Sequence, residues 1–149
     1  KWWVKDILHG RWNIKETAKK ILSSAMKVES TSVGIETGAL RNAILPYLQD
    51  EMRTENQFIS IIECRHGGKK KLDRITWSLQ GRMEHGQITF NPDKDWKYFK
   101  NQMLDFPNRL AHDDLLDSLA YIDQVSVADF AHTIELEDDW SPIDDVAGY

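Results

Sequence analysis

Short apolar segments alternate with amphipathic ones along this chain, and this alternation constrains the fold more than any other feature of the sequence. Residues 32–36 and 58–64 are short apolar runs bounded by polar residues, which predicts two buried strands. Residues 14–27 and 39–53 carry apolar side chains at helical spacing, and Asn13 suits the N-cap of the first helix. Strands that alternate with helices need crossover connections, so the sequence predicts an α/β fold with helices flanking a sheet.

The remaining elements follow from the same signals. The 149 residues are enough for one domain, which we assign to residues 1–131. Residues 132–149 are rich in acidic side chains, and we expect them to form a flexible tail. Within the domain we predict further strands over residues 1–8 and 86–90, and helices over 72–82, 95–104 and 112–125, the last with a weak continuation to 131.

The net charge of −5 conceals a strong asymmetry along the chain. All 19 Lys and Arg residues lie within residues 1–110, where 13 acidic residues leave a net charge of +6, whereas residues 111–149 contain 11 acidic residues and no Lys or Arg. The basic part is suited to a polyanion such as nucleic acid, because that attraction needs only a local basic surface.

The sequence also excludes some classes of site and segment. The single cysteine, Cys64, excludes an internal disulfide and a cysteine-based zinc site. No apolar run reaches the roughly 18 residues of a membrane span.

Three carboxylates crowd the start of the last predicted helix, at Asp113, Asp114 and Asp117. Asp113 and Asp117 are four residues apart, a spacing at which like charges destabilise a helix by about 0.2–0.5 kcal/mol. The helix dipole offsets part of this repulsion, and a divalent cation would offset more. The alternative is ordinary first-turn capping chemistry. The opposite face predicts docking on a core through Leu115, Leu116, Leu119 and Ala120.

A second acidic position lies at the end of a predicted strand. Glu36 closes the run 32–36, and α/β sheets present functional groups at the carboxyl ends of their strands. Carboxylates that converge without cysteine or histidine suit Mg²⁺ or Mn²⁺, and two such ions can cleave a phosphodiester bond. The alternative for Glu36 alone is a solvated cap or a salt-bridge partner.

A series of short segments occurs in a defined order and spacing over about residues 2–125: Val4-Lys5-Asp6-Ile7 through Gly10-Arg11-Trp12, Val33-Gly34-Ile35-Glu36, Lys71-x-x-Arg74, Gly86-Gln87-Ile88-Thr89-Phe90, Phe106-Pro107 and Ala111-His112-Asp113-Asp114-Leu115-Leu116-Asp117. In order and spacing, this series resembles the nuclease domain of the large terminase subunit of tailed bacteriophages. The resemblance implies a ribonuclease H-like mixed sheet flanked by helices. It also implies a metal-dependent endonuclease that cuts concatemeric double-stranded DNA during genome packaging.

The resemblance assigns roles to five residues. Glu36 matches the family's strand-end acid and Asp113 its helix acid, which makes both of them catalytic metal ligands, with Asp114 as a second ligand or local support. Lys71 and Arg74 match basic positions near the site that would hold DNA phosphates, a contact independent of base sequence. A solvated loop is the alternative for these two residues.

Two further residues are supporting candidates. His112 would orient a ligand or transfer a proton, or else cap the helix. Asp117 would reach the site or merely pair with a lysine. The family's first catalytic aspartate lies on a strand upstream of Lys1, so we expect the sheet to lack its first strand or strands, which an omitted segment or another chain would supply. Asp6 is more consistent with a structural role than with replacing that aspartate.

We therefore expect the nuclease part of a phage terminase that uses Mg²⁺ or Mn²⁺, with two ions in the complete site. The resemblance implies double-stranded DNA, an ATPase domain, the small terminase subunit and the portal protein as partners, in the cytoplasm of an infected or lysogenic bacterial host. These residues contain no Walker-type phosphate-binding loop and hence no ATPase motor. Two alternatives stay open: a ribonuclease H-like resolvase or integrase, and a non-catalytic docking or assembly module derived from the same fold.

Overall fold

The computed structural model describes residues 1–68, 70–108 and 111–127. Of the predicted helix continuation to 131, residues 126 and 127 are described and helical, while residues 128–131 and the acidic tail over 132–149 lie outside the described residues. After α5 and Tyr121, residues 122–127 are again helical. The elements in chain order are β1 (Trp2–Val4), α1 (Ile14–Lys27), β2 (Ser32–Glu36), α2 (Ala39–Glu55), β3 (Ser60–Cys64), α3 (Lys71–Glu84), β4 (Ile88–Phe90), α4 (Lys97–Asp105) and α5 (Asp114–Ala120).

The α/β class predicted from the sequence is confirmed, with two differences in the elements. The strand predicted over residues 1–8 is shorter, because its partner β4 ends at Phe90 and the ladder closes with a bond from the Asn91 N–H to the Val4 carbonyl. The helix predicted over 112–125 is interrupted at Tyr121, which separates α5 from the helical residues 122–127.

The described strands form two parallel two-stranded sheets rather than the single sheet that the sequence predicts. Strand β1 pairs with β4, and β2 pairs with β3 from Ser32 opposite Ser60 to Glu36 opposite Cys64. A cleft of about 1190 Å³ lies between the two sheets. Trp2, Trp3 and Val33 are among the residues that line this cleft from both sheets.

Among the described residues, two hydrophobic clusters form, one beside each sheet. Around β4, the first cluster joins α3, α4 and α5 and consists of Ile75, Leu79, Ile88, Phe99, Leu116, Leu119 and Ala120. Between α1 and α2, the second cluster packs against Ile35 of β2 and Ile61 of β3 and consists of Ala18, Leu22, Ile44, Leu48 and Met52. Helix α5 thus packs on the first sheet's core, as its apolar face predicts.

Helix α1 begins where the sequence predicts because its cap is local. The Asn13 side chain accepts a hydrogen bond from the Glu16 N–H at 2.9 Å, and the Glu16 carboxylate accepts one from the Asn13 N–H at 3.1 Å. This reciprocal capping box satisfies two N–H groups that have no partner within the helix. In the part of the chain that the structure describes, no helix is both long and apolar enough to cross a membrane.

Candidate functional site

The register of β2 and β3 brings Glu36 and His66 together. Glu36 pairs with Cys64 at the carboxyl ends of these parallel strands, and His66 follows Cys64 by two residues. His66 lies in the loop that leaves the end of β3, next to the end of β2. The His66 Nε2 atom lies 3.1 Å from Glu36 Oε1. The sequence analysis did not identify His66, although its place after the neighbouring strand was a signal that could have found it.

Cys64 is the last residue of β3 and packs in the interior. Its side chain is buried, and burial raises the pKa of the thiol above its ordinary value, helped by the negative charge of Glu36. A neutral buried thiol is a weak nucleophile.

Tyr121 contributes a second contact to Glu36. Its hydroxyl donates to Glu36 Oε1 at 3.0 Å and lies 3.2 Å from His66 Nδ1. Burial raises the pKa of the Tyr121 hydroxyl well above its usual range, and the hydrogen bond to Glu36 raises it further, so the hydroxyl keeps its proton. Glu36 is therefore held by two side chains from separate parts of the fold.

Gly34 allows the helical residues 122–127 to approach β2 this closely. A Cβ atom added to Gly34 would overlap Val125 Cγ2 and would lie 2.8 Å from Cys64 Sγ. The absence of a side chain at this position thus lets Val125 pack on the strand. That packing positions Tyr121, four residues earlier, beside Glu36.

The carboxylates at the start of α5 surround the ammonium of Lys71. The Lys71 Nζ atom lies 2.6 Å from Asp113 Oδ1, 2.9 Å from Asp114 Oδ1 and 3.8 Å from Asp117 Oδ2. Partial burial alone would lower the pKa of Lys71, but hydrogen bonds to Asp113 and Asp114 outweigh it and raise the pKa above its ordinary value. The repulsion that the sequence predicts among these acids is thus offset by a cation of the protein itself.

Arg74, one helical turn after Lys71, forms a buried ion pair with Asp117. Its guanidinium donates to Asp117 Oδ1 at 2.9 and 2.7 Å and to Oδ2 at 2.9 Å, and the two side chains are 7% and 11% exposed. The guanidinium also lies 4.6 Å from the Tyr121 ring and 3.4 Å from His66 Nδ1. Because a guanidinium can only donate, we assign the hydrogen of neutral His66 to Nε2, which faces Glu36. Arg74 therefore contacts both Asp117 of α5 and the two residues that hold Glu36, which are His66 and Tyr121.

Five of the predicted site residues line one cleft, with a volume of about 730 Å³. Glu36, Lys71, Arg74, Asp114 and Asp117 all line it, together with His66 and Tyr121. Asp113 joins the group through its contact with Lys71, and His112 is exposed just before α5. Asp6 belongs to another part of the molecule, where it accepts a hydrogen bond from Lys94 at 2.8 Å.

The two basic residues of the site make contacts that the sequence did not predict. The predicted contacts of Lys71 and Arg74 with DNA phosphates stay predictions, and in this structure both side chains bind acids of α5. For Asp117, the sequence left open a role in the site or a pairing with lysine. Its strongest contacts are with Arg74, while Lys71 is 3.8 Å away.

The acidic residues of the cleft match a hard divalent cation in kind but not in their present spacing. Carboxylate oxygens are the ligands that Mg²⁺ and Mn²⁺ prefer. Among residues 1–68, 70–108 and 111–127, no three His, Cys, Asp or Glu side chains lie close enough together to hold an ion. Asp113 and Asp114 converge on one positive charge, but that charge is the Lys71 ammonium. The residues as placed therefore offer two converging carboxylates, and Glu36 would have to move towards them to complete a three-ligand site.

In comparisons with known proteins, no family model, curated protein or solved structure matches this chain.

Proposed function

We propose that this chain is a metal-dependent endonuclease domain of the phage terminase class that cleaves double-stranded DNA. One observation carries the proposal: the strand-end acid Glu36 and Asp114, the first residue of α5, line the same cleft, and Asp113 shares the Lys71 ammonium with Asp114. These are the acids that the resemblance to terminase nucleases assigns to metal binding. Acids that are 77 or more residues apart in the sequence have no local reason to lie at one cleft, so this arrangement favours a shared chemical task.

We further propose that the two small sheets are parts of one ribonuclease H-like sheet. Strand β1 uses one edge for β4, and β2 uses one edge for β3. The cleft between the sheets is lined by β1 residues on one side and by Val33 of β2 on the other. An additional strand placed between them would continue the hydrogen-bond ladder and cover the exposed side chain of Trp3.

In this proposal the residues of the cleft divide into ligands and supports. Glu36, Asp113 and Asp114 would hold Mg²⁺ or Mn²⁺, and a bound ion would supply the charge that activates water and stabilises the leaving oxygen. His66 and Tyr121 fix the Glu36 carboxylate by hydrogen bonds, as supporting residues do for metal ligands. The Arg74 and Asp117 pair fixes α5 against α3, so that the ligands on α5 keep their positions.

The charge and exposure of the basic side chains indicate which of them would contact DNA. The Lys71 side chain is 39% exposed at the cleft, whereas Arg74 is buried, so Lys71 is better placed to contact a phosphate.

By the resemblance to terminase nucleases, we propose that this domain works with an ATPase domain, a small terminase subunit and a portal protein. The proposed setting is the cytoplasm of an infected or lysogenic bacterial host.

The test is nicking of supercoiled plasmid DNA in the presence of Mn²⁺. We expect nicking by the chain supplied with a strand that carries the family's first catalytic aspartate, and loss of nicking when Glu36→Gln or Asp113→Asn is introduced into that protein. Glu55→Gln and Asp93→Asn alter exposed acids outside the cleft and serve as matched controls that keep activity. Equal nicking by the cleft variants and the controls would refute the assignment.

A second candidate is a docking or assembly module without catalysis. It is favoured by the ion pairs that already neutralise the acids of α5, with Lys71 and Arg74 as the cations. Calorimetry distinguishes the candidates, because a docking module should bind no Mn²⁺ at millimolar concentration. A resolvase or integrase of the same chemistry would instead prefer branched DNA or DNA ends over linear duplex.

A further inference from the structure

The cleft of about 1190 Å³ between the two sheets is strongly basic. Among the described residues, four lysines and one acid, Asp6, line it. The lysines are Lys5, Lys20, Lys27 and Lys94. Asp6 accepts a hydrogen bond from Lys94 at 2.8 Å and lies 4.0 Å from the Lys27 ammonium, so one carboxylate serves two cations. Four positive charges and one negative charge leave the lining with a net charge of +3.

Apolar surface lies beside these charges in the same cleft. Trp3 and Leu8 line it and are 53% and 52% exposed, and the Lys20 ammonium lies 4.7 Å from the centre of the Trp12 ring. Further apolar lining comes from Trp2, Ile21, Val28, Val33, Leu119 and Ile122. Exposed apolar surface of this kind marks a binding site, and the lysines attract negative charge. The cleft therefore suits a ligand that combines carboxylates with apolar side chains.

The sequence of this chain includes a segment of that composition, residues 135–145. Six acidic residues and no Lys or Arg give this segment a charge of −6. The acids are Glu135, Glu137, Asp138, Asp139, Asp144 and Asp145. Leu136, Trp140 and Ile143 lie among them in the sequence and supply the apolar side chains. The segment thus complements the cleft in both charge and apolar character.

The cleft that contains Glu36 is a poorer match for an acidic segment. Glu36, Asp114 and Asp117 line it and would repel further carboxylates. Its cations Lys71 and Arg74 already bind acids of α5. Charge therefore favours the cleft between the sheets.

The chain also leads from this cleft towards the acidic segment. Leu119 and Ile122 line the cleft, and Val127 ends the described residues. Eight residues separate Val127 from Glu135, and an extended chain of that length spans at most roughly 26–29 Å. A cube of the cleft's volume has an edge of only about 11 Å, so the segment can reach it. Attachment to the same chain gives an effective concentration of about a millimolar, at which weak contacts suffice.

We propose that the cleft between the sheets binds residues 135–145 of the same chain, with the acids on its lysines and Trp140 against its apolar wall. This inference goes beyond the proposed function and does not depend on metal binding or on DNA cleavage. The additional strand proposed above would enter the same cleft, so it would displace the segment. Residues 135–145 therefore cover the cleft until such a strand enters.

Cross-linking of the full chain with a carbodiimide tests this proposal, because the reagent joins a carboxylate to a lysine only when the two are in contact. Peptide mass spectrometry should find products that join residues 135–145 to the four lysines of the cleft. Lys15 and Lys97 are exposed and lie outside this cleft, so they are matched controls that should give few such products. The ion pair of Asp6 with Lys94 supplies a reference product from two groups in contact.

Two changes should lower the yield of the products between the segment and the cleft, measured against the reference product. Raising NaCl from 0.1 to 1 M shortens the Debye length from about 10 to about 3 Å, so we expect a loss of about threefold or more. Trp140→Ala keeps every carboxylate and alters no described residue, and it should lower the yield by about threefold because the aromatic contact is lost. Tyr149→Ala removes an aromatic ring outside the segment and should leave the yield unchanged.

Three results would overturn the proposal. Equal yields at the cleft lysines and at Lys15 and Lys97 would show that the segment does not select the cleft. Products that join an isotope-labelled chain to an unlabelled one would assign the contact to a second copy. Protection of the cleft lysines from acetylation by a single-stranded oligonucleotide, without products from residues 135–145, would assign the cleft to nucleic acid. Because none of these measurements involves Mn²⁺ or nicking, each failure leaves the proposed function as it stands.

Discussion

Removing the Arg74 guanidinium should destabilise the fold more than any surface ion pair would. Arg74 and Asp117 connect α3 to α5 through three hydrogen bonds of 2.7–2.9 Å, with side chains 7% and 11% exposed. Arg74→Met keeps much of the side-chain volume but leaves the Asp117 carboxylate buried without its main partner. Breaking a buried pair in this way costs about 3–5 kcal/mol of unfolding free energy. Because Lys71 remains 3.8 Å from Asp117, we expect the loss near the lower end of that range.

Urea unfolding followed by circular dichroism measures this loss, and the chain contains a matched control. Arg82 pairs with Asp123 at 2.6 Å, but these side chains are 32% and 39% exposed. Exposed pairs contribute only about 0–1 kcal/mol, so Arg82→Met should cost much less than Arg74→Met. If the two variants lose the same free energy, the argument from burial is wrong.

A double-mutant cycle checks the physical cause. In the Asp117→Asn background, removal of the guanidinium leaves no unpaired carboxylate. Arg74→Met should therefore lower the free energy of unfolding less in that background than in the wild type. An equal cost in both backgrounds would mean that lost packing of Arg74, for example on the Tyr121 ring, explains the destabilisation rather than the unpaired carboxylate.

Three further changes test separate parts of the account. Gly34→Ala should cost about 1–3 kcal/mol in urea unfolding, because the new methyl group overlaps Val125, and an unchanged stability would show that residues 122–127 do not pack on β2 as described. Gly81→Ala, in open space within α3, should instead stabilise the fold by about 0.4–1 kcal/mol, and a loss would contradict the helix there. The hydrogen bond from Lys94 lowers the pKa of Asp6 below its ordinary value of 3.8. The stability that this pair contributes is therefore present above pH 3.8 and is lost as the pH falls through the folded-state pKa of Asp6. In Lys94→Met, NMR titration should show the pKa of Asp6 return towards 3.8, and no change would refute the pairing.

Elements with local signals could be predicted from the sequence. Helix α1 begins at Ile14 because Asn13 and Glu16 cap each other within one turn, and β2 occupies residues 32–36 because a short apolar run lies between polar residues. The division into two sheets and the interruption at Tyr121 could not be predicted. Both depend on contacts between distant segments, which leave no trace in the local pattern.

The candidate site shows the same division between local and long-range information. Glu36 and Asp113 stand out as a strand-end acid and a helix-start acid, so the sequence identifies them individually. The pairing of Arg74 with Asp117 joins residues 43 positions apart and could not be read from either segment. His66 was missed for a different reason, since its role depends on the register between β2 and β3, which the sequence does not specify.

The central claim is that Glu36 and the first acids of α5 bind one divalent cation, and anomalous diffraction from crystals soaked in Mn²⁺ tests it most directly. The account predicts a manganese peak at about 2.0–2.6 Å from oxygens of Glu36 and of Asp113 or Asp114, with Lys71 withdrawn from the carboxylates. A crystal saturated with millimolar Mn²⁺ that shows no peak in the cleft, with Lys71 still bound to Asp113 and Asp114, would contradict it.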